Sequence, residues 1–261
     1  MSEQRAHGPA GHPTLQIEDA VARIRLNRPD QHNRFEPADI ETMAVMLREL
    51  SARRAVRVVV ITARGPSFSS GFDLQTLSSD RARESTAAFA SLCDTLEALP
   101  IPTICGLNGN VYGGATDFAL ACDIRIAVEG ACLTMSPARL GIEYYHSGLR
   151  RYVERLGLSE ATRLFLTGDQ INSAEMLRIG FLNEITAADA LEPRLSAIAL
   201  MLAQRSPVSL RGLKASLNAI ARGTGDAGAI NVRFFDSLTS SSAQEGLRAW
   251  IERRLPRFAD P

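Results

Sequence analysis

The segment Asn108-Gly109-Asn110-Val111-Tyr112-Gly113-Gly114-Ala115-Thr116-Asp117 sets paired glycines just ahead of a carboxylate, where a strand pattern passes into a helix pattern. Glycine there lets a ligand approach the backbone, and the unpaired N–H groups at the start of a helix favour an anion. The spacing is neither that of a dinucleotide-binding turn nor that of a Walker A loop, and tight helix packing would use the same glycines. About forty residues earlier, Phe68-Ser69-Ser70-Gly71-Phe72-Asp73-Leu74 follows a buried apolar run, a second place where backbone N–H groups can turn toward a ligand. Gly65-Pro66-Ser67-Phe68-Ser69 lacks the closing glycine of a nucleophile elbow, so an ordinary serine hydrolase is not supported. His146 is the only histidine after His32, and an ordinary imidazole pKa near 6.5 suits proton transfer. Beside it, Tyr144 and Tyr145 offer either hydroxyl donors or an aromatic wall. Cys93, Cys105, Cys122 and Cys132 form no C-x-x-C pair and have no histidine near them in sequence, so buried free thiols are expected and no metal site.

Positioning these groups requires alternating strands and helices. Ala20 to Leu26 alternates small or apolar residues with charge, as a half-exposed strand does, and Asn27-Arg28-Pro29-Asp30 breaks it. Pro37 opens a helix through Met43, Met46, Leu47 and Leu50, and Val56 to Thr62 is a buried strand. Strand, helix and strand in that order predict a parallel crossover. A helix follows over about Arg81 to Leu99, then strands at Thr103 to Leu107, Ile124 to Val128 and Cys132 to Met135. Helical segments are predicted around Gly148 to Leu156 and Ser159 to Leu166, the latter closed by Gly168. Beyond Ile185 only helical periodicity remains, through Leu191–Arg205, Val208–Ala221, Ile230–Leu238 and Ala243–Arg254. The fold class is therefore α/β, with a core over residues 14–185 and a helical region over 186–261.

Composition narrows the function. The 261 residues carry 29 basic and 29 acidic side chains, 45% hydrophobic residues and zero formal net charge. Such a chain has no surplus of cations to neutralise phosphates, so nucleic acid is not an expected partner. The predicted helix at 81–99 sets only Arg81 and Arg83 against Glu84, Asp94 and Glu97, which argues against an RNA-binding face. No apolar run approaches the roughly 18 residues of a membrane span, and Met1 to Pro13 is polar, so a cytoplasmic protein without a membrane partner is expected.

The ordered motifs resemble the enoyl-CoA hydratase/isomerase (crotonase) superfamily along nearly the whole chain. They include Leu26-Asn27-Arg28-Pro29, Phe68 to Leu74, Asn108 to Asp123 with its Ala-Cys-Asp ending, and Arg139-Leu140-Gly141. The match continues through Leu166-Thr167-Gly168, Ala174 to Asn183, Ser206-Pro207, Glu245-Gly246 and Pro256-Arg257-Phe258. The resemblance implies a spiral of ββα turns and a helical C-terminal region that builds homotrimers or homohexamers. It also implies an acyl-CoA thioester substrate, with no cofactor beyond the coenzyme A that the substrate brings. The backbone N–H groups of Phe72 and Gly114 match the oxyanion hole of that family, where a backbone donor tolerates Phe72 in place of the usual alanine. Asp30, Gln31 and His32, and the stretch Ser70 to Gln75 with Asp73 and Leu74, match the segments along which coenzyme A lies. Phe234 and Arg253 resemble residues that reach the nucleotide of a neighbouring subunit.

The chain departs from the family pattern at the acid and base. Hydratases of this kind use two glutamates; here the first position is Asp117 and the second is Pro137, which cannot titrate. Tyr145 stands where a pocket glycine would be. The resemblance therefore implies an acyl-CoA enzyme working through a stabilised enolate, with Asp117 as principal proton-transfer residue within reach of the α-carbon and His146 as its alternative. Its reaction is open among hydration, isomerisation, decarboxylation and hydrolysis. A chain that has lost catalysis and only binds acyl-CoA is the competing reading.

Overall fold

The computed structural model describes residues 11–259; residues 1–10, most of the polar leader, lie outside the described residues. A hairpin opens the fold, β1 (Thr14–Glu18) paired antiparallel with β2 (Val21–Leu26) around Asp19. Helix α1 (Pro37–Ala52) starts at Pro37 and buries the predicted stripe of Met43, Met46, Leu47 and Leu50, together with Ile40. Three ββα turns follow. The first is β3 (Val58–Ala63), β4 (Ser67–Ser69) and the helices α2 (Leu74–Leu77) and α3 (Ala82–Ala98). The second is β5 (Thr103–Leu107), β6 (Asn110–Tyr112) and α4 (Gly114–Leu120). The third is β7 (Ile124–Val128), β8 (Cys132–Thr134) and α5 (His146–Thr167).

The first strand of each turn joins a six-stranded sheet ordered β1-β2-β3-β5-β7-β10, in which every pair after the hairpin is parallel. The second strand joins a four-stranded sheet ordered β4-β6-β8-β9. Its last member β9 (Ile171–Asn172) leads into α6 (Ser173–Arg178), and β10 (Glu184–Thr186) closes the larger sheet. Parallel strands covered on both faces are apolar throughout, and Val58, Val59, Val60 and Ile61 are fully buried. The spiral puts the β4 and β6 ends side by side, which brings the two glycine segments together.

The chain then becomes helical: α7 (Leu191–Ala203), α8 (Pro207–Ala221), α9 (Ala227–Leu238) and α10 (Ser241–Ile251). Helix α7 packs on the large sheet through Leu191, Leu195, Ile198 and Ala199. Lys214 ties α8 to the core, its Nζ lying 2.7 Å from Oδ2 of Asp123 and 3.1 Å from the carbonyl of Ile101. Large apolar side chains of α8 to α10 stay exposed, among them Leu217, Phe235, Trp250 and Ile251.

Three sequence expectations change. Residues 14–18, where no strand was predicted, form an edge strand because pairing with β2 satisfies their backbone. Of the second sheet only β8 was foreseen, as the strand at Cys132 to Met135; β4, β6 and β9 have two or three residues and are too short for periodicity to register. The two helical segments after Gly148 are one helix bent at Gly157, whose backbone leaves the helical region there (φ 79°, ψ 158°). Gly168 does close it in the left-handed conformation. Cys93, Cys105 and Cys122 are buried free thiols and Cys132 is half-buried. Among the described residues no helix is long and apolar enough to cross a membrane.

Candidate active site

Residues Asn33 to Phe35 brace the first glycine loop. The Asn33 side chain donates to the carbonyls of Arg64 at 2.8 Å and Ser67 at 3.0 Å. Phe35 forms a parallel bridge around Phe72, its N–H donating to the Gly71 carbonyl at 2.8 Å and its carbonyl accepting from Asp73 N–H at 3.1 Å. That bridge uses the groups on either side of Phe72 and leaves the Phe72 N–H over. On the second loop, Gly113 N–H donates to the Thr134 carbonyl at 2.9 Å, and α4 begins one residue later. Among the described residues, neither Phe72 N–H nor Gly114 N–H has a hydrogen-bond partner. The loops touch at Gly71, where φ is +92° and a Cβ would stand 2.5 Å from the Tyr112 carbonyl oxygen and 3.2 Å from Gly114 N. Only glycine fits both the conformation and the gap.

Beside these amides opens a cavity of about 770 Å³ with a predominantly apolar lining. Phe72, Phe89, Met135 and Pro137 form the wall near Gly114, and Leu74, Leu77, Leu140 and Ile142 extend it. Phe89 packs edge-on to both Phe72 and Phe35, with ring centroids 5.7 and 5.3 Å apart, so the wall is continuous with the core. Tyr144 and Tyr145 stack at 4.4 Å and close one side. Gly148 makes room for them, since a Cβ there would lie 2.4 Å from Cε1 of Tyr144.

Behind Tyr145 lies a buried charge network. Asp117 is fully buried and does not line the cavity. Its Oδ1 accepts from Arg151 Nε at 2.8 Å, and its Oδ2 accepts from Arg151 Nη2 at 3.2 Å and from the Tyr145 hydroxyl. Arg151 is equally buried, and its Nη1 lies 3.0 Å from both Asp94 Oδ1 and Glu97 Oε2. Burial alone would lower the Arg151 guanidinium, but the hydrogen bonds and charge of Asp117 hold it above its usual range. Burial pushes the phenols of Tyr144 and Tyr145 well above theirs, so both are neutral hydroxyls. Tyr152, raised by burial, shares a hydrogen bond with Thr116 one residue before Asp117.

The structure brings together Phe72, Gly114, Ser70, Leu74 and Tyr145 around one cavity. It does not bring Asp117 to that cavity: the short carboxylate turns inward to Arg151, which corrects the expectation that it faces substrate directly. His146 is the exposed first residue of α5 and does not line the cavity either. Asp30, Gln31 and His32 form an exposed turn over Pro29–Gln31 and its cap, with His32 Nδ1 3.0 Å from Ser67 Oγ. Asp73 caps α2 through the Thr76 N–H at 3.0 Å instead of pointing into the cavity. Phe234 and Arg253 are exposed and lie outside the lining. Arg151 and Glu97 were missed. The available signal was Asp94 and Glu97 one helical turn apart, facing a second helix that carries Arg150-Arg151.

Comparison with known proteins agrees with this architecture. The model of the enoyl-CoA hydratase/isomerase family matches residues 16–261. A crotonyl-CoA hydratase of Syntrophomonas wolfei is 30% identical over 250 residues, covering 94% of this chain and 96% of that protein. The crystal structure of an enoyl-CoA hydratase from Bacillus anthracis superposes with a TM-score of 0.88 at 27% identity, covering 95% of this chain and 99% of that one. An enoyl-CoA hydratase/carnithine racemase from Magnetospirillum magneticum superposes with a TM-score of 0.91 at 23% identity, covering 98% and 97%, a likeness of fold.

Proposed function

The chain belongs to the enoyl-CoA hydratase/isomerase family, and we propose that it converts an acyl-CoA thioester through an enolate by moving a single proton, as double-bond migration requires. The observation that carries this reading is the cavity wall itself: two unpartnered backbone N–H groups flank it, and it carries Pro137, the residue to which the family resemblance assigns the place of the second hydratase glutamate. An enolate needs fixed donors aimed at the oxygen where charge develops, and one such donor is worth about 3–4 kcal/mol of transition-state stabilisation. Phe72 and Gly114 supply two without depending on side-chain identity. Water addition needs a group to activate water and a group to handle the proton. The predominantly apolar wall supports migration of a double bond, which consumes no water. Coenzyme A enters as part of the substrate, and the reading requires no further cofactor.

The test is incubation with paired 2-enoyl- and 3-enoyl-CoA thioesters of several chain lengths, with products read by mass spectrometry and chromatography. Interconversion of the pair without gain of water supports the reading. Binding without conversion of any thioester would make the chain an acyl-CoA-binding protein instead.

The exposed apolar side chains of α8, α9 and α10 support self-association, read here as a homotrimer or dimer of trimers, because a patch of that extent on a lone chain would stay in water.

A further inference from the structure

One side chain of the cavity is wired to a buried acid. Among the described residues lining the cavity, the ionisable side chains are Arg83, Tyr112, Glu143, Tyr144 and Tyr145. Glu143 is exposed at the rim, and only Tyr145 is hydrogen-bonded to a carboxylate of the interior. Cys93 and Tyr144 are the other groups acting on the Tyr145 hydroxyl, and neither carries charge because burial holds both pKa values high. The hydroxyl therefore has one anionic acceptor, Oδ2 of Asp117; its own oxygen accepts one hydrogen bond, from the Tyr144 hydroxyl at 3.4 Å, and keeps its second lone pair.

We infer that Tyr145 is the catalytic residue that takes the α-proton of the bound thioester, and that Asp117 acts through it as the group on which that proton's charge comes to rest. The inference rests on the enolate reading above. In the step, the Cα–H bond breaks and its proton passes to Tyr145 Oη. The hydroxyl's own proton moves to Asp117 Oδ2. The electron pair left on carbon is drawn onto the thioester oxygen between Phe72 N–H and Gly114 N–H. Running the relay backwards at the γ-carbon returns a proton and leaves the double bond shifted, so no oxidant, reductant or water is consumed. One negative charge moves from Asp117 to the enolate and back.

Arg151 bears on this in two ways. Its fork fixes Asp117 with Oδ2 directed at the hydroxyl, which is a positioning role. Its charge is also divided among three acids, because its Nη1 is shared with Asp94 and Glu97. A relay through Tyr145 also explains how a shorter carboxylate serves where a glutamate would be needed to reach substrate unaided.

The test uses 3-hexenoyl-CoA in deuterium oxide with the full chain, reading deuterium at C2 by mass spectrometry and affinity for the same thioester by calorimetry. Wild type is expected to exchange. Tyr145→Phe keeps the ring and the Asp117–Arg151 pair, and is expected to slow exchange by roughly 10²–10⁴-fold while affinity stays within about threefold. Asp117→Asn is expected to slow it similarly, and the double variant to be no slower than the slower single one, because the two residues act as one unit. If Asp117→Asn does not fold, Tyr145→Phe carries the test alone. Exchange in Tyr145→Phe at the wild-type rate overturns the inference, as do losses that multiply in the double variant. A wild type that binds the thioester yet never exchanges its α-hydrogen overturns the enolate reading, and this inference falls with it.

Discussion

Arg151 holds both carboxylate oxygens of Asp117, Nε to Oδ1 at 2.8 Å and Nη2 to Oδ2 at 3.2 Å, with neither side chain accessible to solvent. A bidentate pair at this depth is costly to form and costlier to break. Replacing it with apolar residues of similar shape can be neutral, whereas removing one partner leaves an uncompensated charge at about 3–5 kcal/mol. Arg151→Ala is therefore expected to lower Tm by on the order of 10 °C, since 1 kcal/mol shifts Tm by roughly 2–4 °C in chains near this size. Arg151→Lys, which keeps the charge but loses the fork, is expected to fall between. Thermal melts followed by circular dichroism check this; a shift under about 2 °C for Arg151→Ala would mean that Asp117 has other means of compensation.

The same network predicts acid sensitivity. Glu97 is buried, which by itself would raise its pKa, but Arg151, Arg150 and Arg222 hold it below the ordinary carboxylate range. Arg150 Nη2 and Arg222 Nη2 lie 2.5 and 2.6 Å from its Oε2. Because the folded value is lowered, the unfolded chain takes up protons first as pH falls. The contribution to stability is full above the ordinary carboxylate range and is lost as pH drops through the lowered folded value. Urea midpoints measured from pH 7 down to pH 3 are expected to fall more steeply for wild type than for Glu97→Gln. Parallel slopes would remove Glu97 from the acid response.

The larger elements were legible in sequence because each is long enough to show its period. The stripe of α1 and the unbroken apolar run of β3 are examples, and the glycine pair ahead of α4 follows from what a strand-to-helix junction demands. Most of the second sheet was not legible, because β4 and β6 have three residues apiece and one period of alternation cannot be told from loop; only β8 registered, as the strand at Cys132 to Met135. At the site, Phe72, Gly114 and Tyr145 line one cavity as a sequence reading can anticipate, because each is placed by backbone position or by the loop that carries it. Asp117 was identified but aimed wrongly. Its direction depends on Arg151, which lies 34 positions away on a helix whose register against α4 no local pattern encodes.

Removing one donor of the paired amides tests the enolate reading on the backbone itself. Gly114 is the first residue of α4, a position where proline is tolerated because its N–H has no helical partner. Gly114→Pro is expected to fold and to bind acyl-CoA, yet to turn over roughly 10²–10³-fold more slowly. Its added atoms come near Phe89, which would stand 3.1 Å from a Cβ, so Gly114→Ala serves as the control that adds bulk and keeps the donor. A proline variant as active as the alanine variant would leave the Gly114 N–H without a part in the reaction.

Assembly can be read from the single tryptophan. Trp250 is 80% exposed on α10, near Leu247 and Ile251 in a continuous apolar stripe. A mass of three or six times the 28.3 kDa chain is expected by light scattering at micromolar concentration. Trp250→Glu puts a charge on that stripe and is expected to shift the population to smaller species. A wild type that is strictly monomeric at micromolar concentration, with Trp250→Glu unchanged in mass, would refute assembly through this face.

The position of Pro137 makes the last prediction the most discriminating. It lies in the cavity wall and opens the short turn Pro137–Leu140, where its ring offers neither a proton acceptor nor a donor. Hydration of crotonyl-CoA in a two-carboxylate enzyme requires both groups, and each proton-transfer group contributes about 10²–10⁴-fold. Wild type is therefore expected to hydrate crotonyl-CoA at least about 10²-fold more slowly than it moves a double bond in a longer enoyl-CoA. Pro137→Glu restores a carboxylate at the wall, and an acidic residue is well tolerated in the first turn of a helix-like segment. That variant is expected to gain hydration by about tenfold or more, with Tyr145 and Asp117 unaltered as the other half of the pair. The partial return allows for a wall shaped around a proline ring, which leaves a glutamate less than ideally aimed. Hydration of crotonyl-CoA by the unaltered chain, at a rate matching its isomerisation, would show that another group, His146, Glu143 or a tyrosine, supplies what is missing and that Pro137 does not limit the chemistry.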